Sequence, residues 1–115
     1  MLNGNSASLA VIAYAQVNGS DGSTPYLNSG LVTARVGVGS YTLTLPADQG
    51  NLHSLIFVQI LGATPLSYAA DADETDPNGL IKTVNIGSSS TTAVDADFNV
   101  MICRSMLTAP AGSPA

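Results

Sequence analysis

Residues Gly30 to Leu45 read GLVTARVGVGSYTLTL, and this stretch decides the fold. Val32, Ala34 and Val36 alternate with Leu31, Thr33 and Arg35; past a Gly-rich centre, Tyr41, Leu43 and Leu45 alternate with Thr42 and Thr44. Period 2 is the strand period, because successive side chains leave opposite faces of a pleated backbone. Gly37 and Gly39 fall where the chain must reverse, and glycine accepts positive φ without steric cost. The pattern predicts an antiparallel hairpin. Its apolar face, with Val32, Ala34 and Val36 beside Tyr41, Leu43 and Leu45, is expected in a core, and its Thr-rich face in water. Gly37 to Ser40 is too long for the tightest two-residue turn, which predicts a four-residue or bulged connection.

Ala7 to Val17, N-terminal to the hairpin, reads as a strand with two apolar parities. Leu9, Val11, Ala13, Ala15 and Val17 form one, and Ala10, Ile12, Tyr14 and Gln16 the other. A strand apolar on both faces is expected to be covered on both. Its alanines also permit a helix, but the turn-rich Asn18 to Ser23 and the hairpin beyond favour a strand. Tyr26 and Leu27 are expected to plug the end of the core.

C-terminal to the hairpin, Pro46 stops the second strand, since proline cannot donate to the ladder. Leu52 to Leu61 holds the most apolar run of the chain and reads as a central strand buried on both faces. Leu66 to Gly79 reads as the longest loop, with a short edge strand near Leu66 to Ala70. Leu80 to Ile86 is the next strand, in which Lys82 shares a face with Val84 and Ile86 and must snorkel or lie near an end. Val94 to Cys103 alternates most cleanly and is read as the last strand. The count of six to eight strands without an amphipathic helix predicts an all-β chain, a single antiparallel β-sandwich or jelly-roll-like barrel over residues 7–107. Residues 1–6 read as a flexible N-terminal arm, and residues 108–115 as a Pro/Ala/Ser tail unable to pack alone.

Composition narrows the function. A chain of 115 residues argues for one domain able to bury a core without disulfides. Charged residues are only 10% of it, against about 25% in typical domains. A small, weakly charged chain hides surface most simply against other chains, which predicts self-association or docking on a larger assembly. The net charge is −5, with only Arg35, Lys82 and Arg104 basic. Three scattered cations cannot neutralise a row of phosphates, which excludes nucleic acid and argues against an anionic membrane surface. Cys103 is the only cysteine, so no intrachain disulfide can form. There is no secretory-signal pattern and no apolar run long enough to span a bilayer as a helix. Asn18-Gly19-Ser20 matches a glycosylation sequon but reads as a turn.

AVIAYAQVNG (Ala10 to Gly19) followed by SGLVTARVGVGSYTLTLP (Ser29 to Pro46) resembles the small β-sandwich units of tailed-phage virion proteins. Such units carry an A-x-A-x-V strand, here Ala13 to Val17, and a Gly-containing loop. A Ser-Gly strand and a G-x-G-x-Y-T-x-x-x-P hairpin, here Gly37 to Pro46, follow. The likeness covers about Ala7 to Pro46. It implies a fibre domain or a capsid-decorating (cement) protein, commonly homotrimeric, binding the major capsid protein. The implied location is the virion, assembled in the host cytoplasm. A decoration role is favoured over a fibre, because a chain of this length from Met1 shows no coiled coil or long shaft. The alternatives are a head- or tail-fibre domain binding host glycans and a small cytosolic ligand-binding barrel.

No catalytic constellation is found in the sequence, and no cofactor is expected. Asp71, Asp73, Glu74 and Asp76 form one dense cluster of hard-ion ligands. The helical calcium loop fails on Asp76 at its sixth position and Lys82 at its twelfth. An irregular calcium site there is the alternative to a solvated acidic loop, which is preferred, and to a polar contact with a neighbouring subunit. Asp95 and Asp97, about 7 Å apart on one face of the last strand, read as solvated surface rather than as an acid/base pair. His53 lacks companions for a zinc site and has no serine tied to it. Gly37-Val38-Gly39 joins strands and is no phosphate loop. Cys103 reads as a small buried apolar residue. Tyr14, Tyr26, Tyr41 and Tyr68 have the chemistry to stack on sugars, but they are scattered, and packing explains most of them at strand positions.

Overall fold

Tyr41, Leu43 and Leu45 are buried, as their alternation requires, and they meet Phe98, Val100 and Ile102 across the interior. The Tyr41 and Phe98 rings lie edge to face, with centroids 5.0 Å apart. The protein is described from a computed structural model covering residues 9–49, 54–72, 75–89 and 91–105. The strands are β1 (Leu9–Val17), β2 (Val32–Gly37), β3 (Ser40–Thr44), β4 (Leu55–Ile60), β5 (Ser67–Ala72), β6 (Ile81–Gly87) and β7 (Phe98–Ser105). They form two antiparallel sheets, ordered β1-β7-β4 and β2-β3-β6-β5, packed against each other. The chain is all-β, as the period-2 runs predict, and its architecture is compatible with a β-sandwich. Read from β2, the strand order is that of the seven-stranded immunoglobulin-type sandwich with its last strand supplied first. That likeness is one of strand order alone and carries no function.

The hairpin faces the core differently from its sequence reading. Register sets Thr33 opposite Leu43 and Arg35 opposite Tyr41, so Leu31, Thr33 and Arg35 share the inner face. Val32, Ala34 and Val36 point outward and are exposed. The cause is the turn: Val38 and Gly39 form a two-residue reversal, and a shift in register between Arg35 and Gly37 bulges β2. One extra residue in one strand inverts every side chain beyond it relative to the partner.

A second bulge does the same in β1. The register slips between Val11 and Ala13, leaving Ile12 as the extra residue. Ala13, Ala15 and Val17 therefore enter the core, while Leu9 and Val11 turn outward with Tyr14. β1 is an edge strand covered on one face, not on both.

β4 is also an edge strand rather than a central one: Ile56, Val58 and Ile60 pack on the core, and Leu55 and Phe57 stay exposed. The centre of that sheet is β7, which begins at Phe98 instead of Val94. β5 is the expected edge strand but extends to Ala72, so Asp71 lies in a strand and not in a loop. Tyr26, 86% exposed, and Leu27 do not plug the core; buried Leu31 does lie in it. Lys82 lies near one end of β6, and its side chain is fully buried between Leu43 of β3 and Ala72 of β5 in the register. The expected arm at residues 1–6, the tail at 108–115 and His53 lie outside the described residues.

Candidate interaction surface

Two sites have chemistry worth building from their residues: a polar knot at one end of the sandwich and an uncharged outer sheet face. The knot is centred on Asp95. Its carboxylate accepts from Arg35 Nε at 3.1 Å, Arg35 Nη2 at 2.9 Å, the Gly39 backbone N–H at 2.7 Å and the Tyr41 hydroxyl at 3.2 Å. Tyr41 Oη also lies 2.8 Å from the Gly19 carbonyl, and Gly19 N–H donates to Asp97 Oδ1 at 2.8 Å. Asp95 and Asp97 thus sit in the segment before β7 and tie it to the hairpin and to the loop after β1. This corrects their placement on the last strand, and for Asp95, half-buried against Arg35, the reading as solvated surface; Asp97 is exposed as expected. The Arg35 guanidinium spans both carboxylate oxygens, the Gly39 N–H caps Oδ1, and the one Tyr41 hydroxyl proton lies between Oδ1 and the nearer Gly19 carbonyl. The Arg35 guanidinium, then the Gly39 N–H, hold Asp95 below the usual carboxylate range. Burial pushes the Tyr41 hydroxyl above its usual value.

These shifts fix a pH profile. Asp95, Asp76 and Asp21 all have lowered folded pKa values. A depressed carboxylate gives stability that is full above its unfolded pKa and lost as pH falls through the folded one. Resistance to urea is therefore expected to be flat between about pH 5 and 8 and to fall below about pH 4. Tyr41, shifted up, gives stability that is full below pH 10 and lost as pH rises through its folded value. In Asp95→Asn, neutral-pH stability should fall and the acid limb should shrink. An acid limb of unchanged size would assign it to the other carboxylates.

The acidic segment resolves into separate roles. Asp71 faces Thr83 across β5 and β6, and its Oδ1 accepts from Ala72 N–H at 2.7 Å. Asp76 closes the turn into β6, accepting from the N–H groups of Leu80 at 2.7 Å, Ile81 at 2.9 Å and Asn78 at 3.1 Å. The Ile81 N–H is the leading cause of its lowered pKa. Asp73 and Glu74 lie outside the described residues, and among the described residues no group of three His, Cys, Asp or Glu is placed to hold a metal. Burial lowers the Lys82 ammonium, while Asp76 and Asp71 pull it back up. Cys103 is a buried free thiol pushed up by burial.

The second site is the outer face of the β1-β7-β4 sheet. Register aligns it in rows. Tyr14, Met101 and Phe57 lie side by side, as do Val11, Cys103 and Leu55 one row on, and Gln16, Asn99 and Gln59 on the other side. Tyr14, Met101, Phe57, Val11, Leu55 and the adjacent Leu9 are each 39–51% exposed. Asn99 Nδ2 donates to Gln59 Oε1 at 3.0 Å, tying the amide row together. A shallow depression of about 290 Å³ lies over Tyr14, Phe57, Met101 and Leu27. Its chemistry is that of an interface: aromatic, Met and aliphatic groups at the centre, amides at one border, and no charge in the three rows. The sequence signal was present, since β1 and β4 are apolar on both parities. Taken alone it points to burial on both faces, because strand order, which makes both edges, is not a local property. Among the tyrosines only Tyr41 is buried; Tyr26 and Tyr68 are exposed away from these rows.

Comparison with protein-family models, with curated proteins and with solved structures finds no match to this chain.

Proposed function

We propose that this chain is a structural subunit of a tailed-phage virion, a homotrimeric decoration protein that binds the major capsid protein and stabilises the head. The observation that carries the reading is a surface poor in charge, 10% of residues, with large apolar groups exposed on both sheets. Six half-exposed large apolar groups on one sheet face suit a subunit whose surface is completed by neighbours. The phage context rests on the resemblance of Ala7 to Pro46. Each bound copy would stabilise the assembled head by mass action, because it binds the intact lattice and not the dissociated one. Residues 1–6 and 108–115 would act as arms that order on contact.

The test mixes purified chain with heads that lack it. Saturable co-sedimentation is expected, with a rise in the temperature at which the heads open. Chain that stays in the supernatant at tens of micromolar, about 100-fold above a tight docking constant, would sink the reading. Deleting residues 1–6 or 108–115 should weaken binding; unchanged binding would remove that arm from the mechanism.

A fibre domain binding host glycans is the second reading. Half-exposed Tyr68 stands with Ser67, Asn85, Ser89 and Thr91 around an open hollow of about 570 Å³. An aromatic face among hydroxyls and an amide suits a neutral sugar. Saturable binding of the isolated chain to host cells, lost in Tyr68→Ala, would favour it.

A further inference from the structure

We propose that the outer face of the β1-β7-β4 sheet is where a second copy of this chain docks, face against face, about a two-fold axis running along β7. The inference rests on the assembly half of the reading above and not on its phage half. The pattern of the rows carries it. β7 is the central strand, with β1 and β4 on either side. A two-fold axis along β7 exchanges the two flanks while keeping each row at its own height. It therefore lays Tyr14 of one copy over Phe57 of the other, Val11 over Leu55, and Gln16 over Gln59, with Met101 meeting Met101 at the centre. Aromatic falls on aromatic, aliphatic on aliphatic and amide on amide. An isologous contact pairs residue i with j and j with i, and these rows meet that condition with like chemistry on both sides.

Charge points the same way. Two copies with a net charge of −5 each repel unless they meet where neither carries carboxylates. The three rows hold none. Asp71 and Asp76 lie by β5 and β6 on the other sheet, Asp95 is engaged in the knot with Arg35, and exposed Asp97 borders the amide row beside Gln16, held by the Gly19 N–H. A partner recognised by charge finds nothing to read in these rows. The sheet-packing distance also fits, since two sheets stack about 10 Å apart with strands within about 30° of parallel.

The size of the face predicts the strength. Three strands about 4.8 Å apart and some eight residues long give on the order of 400 Å² in plan. A pair covers on the order of 800 Å² in plan, below the roughly 1,200 Å² at which standard specific interfaces begin and in the range of weak ones. It should form in the micromolar range and depend on its few central side chains.

The experiment reads solution mass by light scattering on a sizing column, from about 1 to 100 μM, a range chosen for an interface of this size. The intact chain is expected as a pair, or as a pair of trimers if it also trimerises. Phe57→Asp and Met101→Lys should each halve that mass, weakening the pair at least about 100-fold. Val36→Asp, at a more exposed apolar site on the other sheet, should leave it unchanged. Circular dichroism confirms that each variant is folded, and a cross-link covers the case where one is not. In Met101→Cys the new thiol is the only exposed one, Cys103 being buried, so a bismaleimide of about 10 Å reach, matched to the spacing of stacked sheets, should join two copies, whereas Val36→Cys should stay unlinked. A monomeric intact chain, a mass unchanged by both face variants, dispersal by Val36→Asp, or no cross-link through residue 101 would each overturn the proposal. The phage reading fails separately, on heads. A pair that ignores heads keeps this face and loses that function, whereas a trimer that decorates heads and is untouched by Phe57→Asp does the reverse.

Discussion

Tyr41→Ala is expected to cost about 4 kcal/mol, the range for deleting a large buried aromatic. Small domains have about 5–15 kcal/mol in total, so the variant should be close to unfolding at physiological temperature. Tyr41 is fully buried, its ring packs edge to face on Phe98, and its hydroxyl lies between the Gly19 carbonyl and Asp95. It thus joins both sheets and the knot. Tyr41→Phe separates these roles. The ring contact survives and only the hydroxyl is lost, which should cost about 1–2 kcal/mol through unpaired polar groups. The measurement is urea unfolding followed by circular dichroism, at pH 7 and in the alkaline range. Tyr41→Phe should also lose the part of the alkaline limb that belongs to the raised Tyr41 pKa. An alanine variant that loses less than 2 kcal/mol would mean that the core does not depend on this ring.

The contrast between Tyr41 and Arg35 shows what the sequence can and cannot convey. The β3 pattern Tyr41, Leu43, Leu45 is local and strong, and those residues are in the core. The all-β class, the turns and the edge strand β5 follow from equally local signals. Arg35 is different. Nothing near it explains an arginine on an inner face; its partner Asp95 is 60 residues away. Without that partner, Val32, Ala34 and Val36 are the reasonable core side. With it, an ion pair and the Thr33 hydroxyl, which donates to the Gly22 carbonyl at 2.6 Å, serve the interior, and the valines go outward.

Bulges are the second source of error, and they act through parity. The inner residues Ala13, Ala15 and Val17 were all on one expected face of β1. Ile12 as an extra residue detached Leu9 and Val11 from it. No residue type in Val11-Ile12-Ala13 signals a bulge, because the extra residue is fixed by pairing with Cys103 and Ile102 on β7. The outer face is built from β1 and β4, both expected to be covered on two sides, and from the outward parity of the alternating β7. A strand apolar on both parities is consistent with a central position or with an edge that faces another molecule. The choice depends on strand order.

The glycines of the hairpin give the last and sharpest expectation. Gly39→Ala should cost at least about 3 kcal/mol, combining left-handed backbone strain of about 1–2 kcal/mol with a steric clash. Gly39 has φ of 65°. A Cβ there would strike the Ile86 carbonyl and the Val94 backbone, none of which can rotate away as a side chain could. Gly39 also donates to Asp95 and accepts from Ile86 N–H, both at 2.7 Å, so any shift disturbs the knot and the end of β6 together. Gly37→Ala, two residues earlier in the same turn, is the control. Gly37 is outside the left-handed region, and a Cβ there meets nothing within 4 Å. Removing a glycine at such a position reduces the freedom of the unfolded chain and should stabilise by about 0.4–1 kcal/mol. Urea midpoints of the two variants should therefore move in opposite directions. Equal effects at both positions would mean that the turn is not held between β6 and the segment before β7, and the parity of β2, with Arg35 inward and Val32, Ala34 and Val36 outward, would lose its cause.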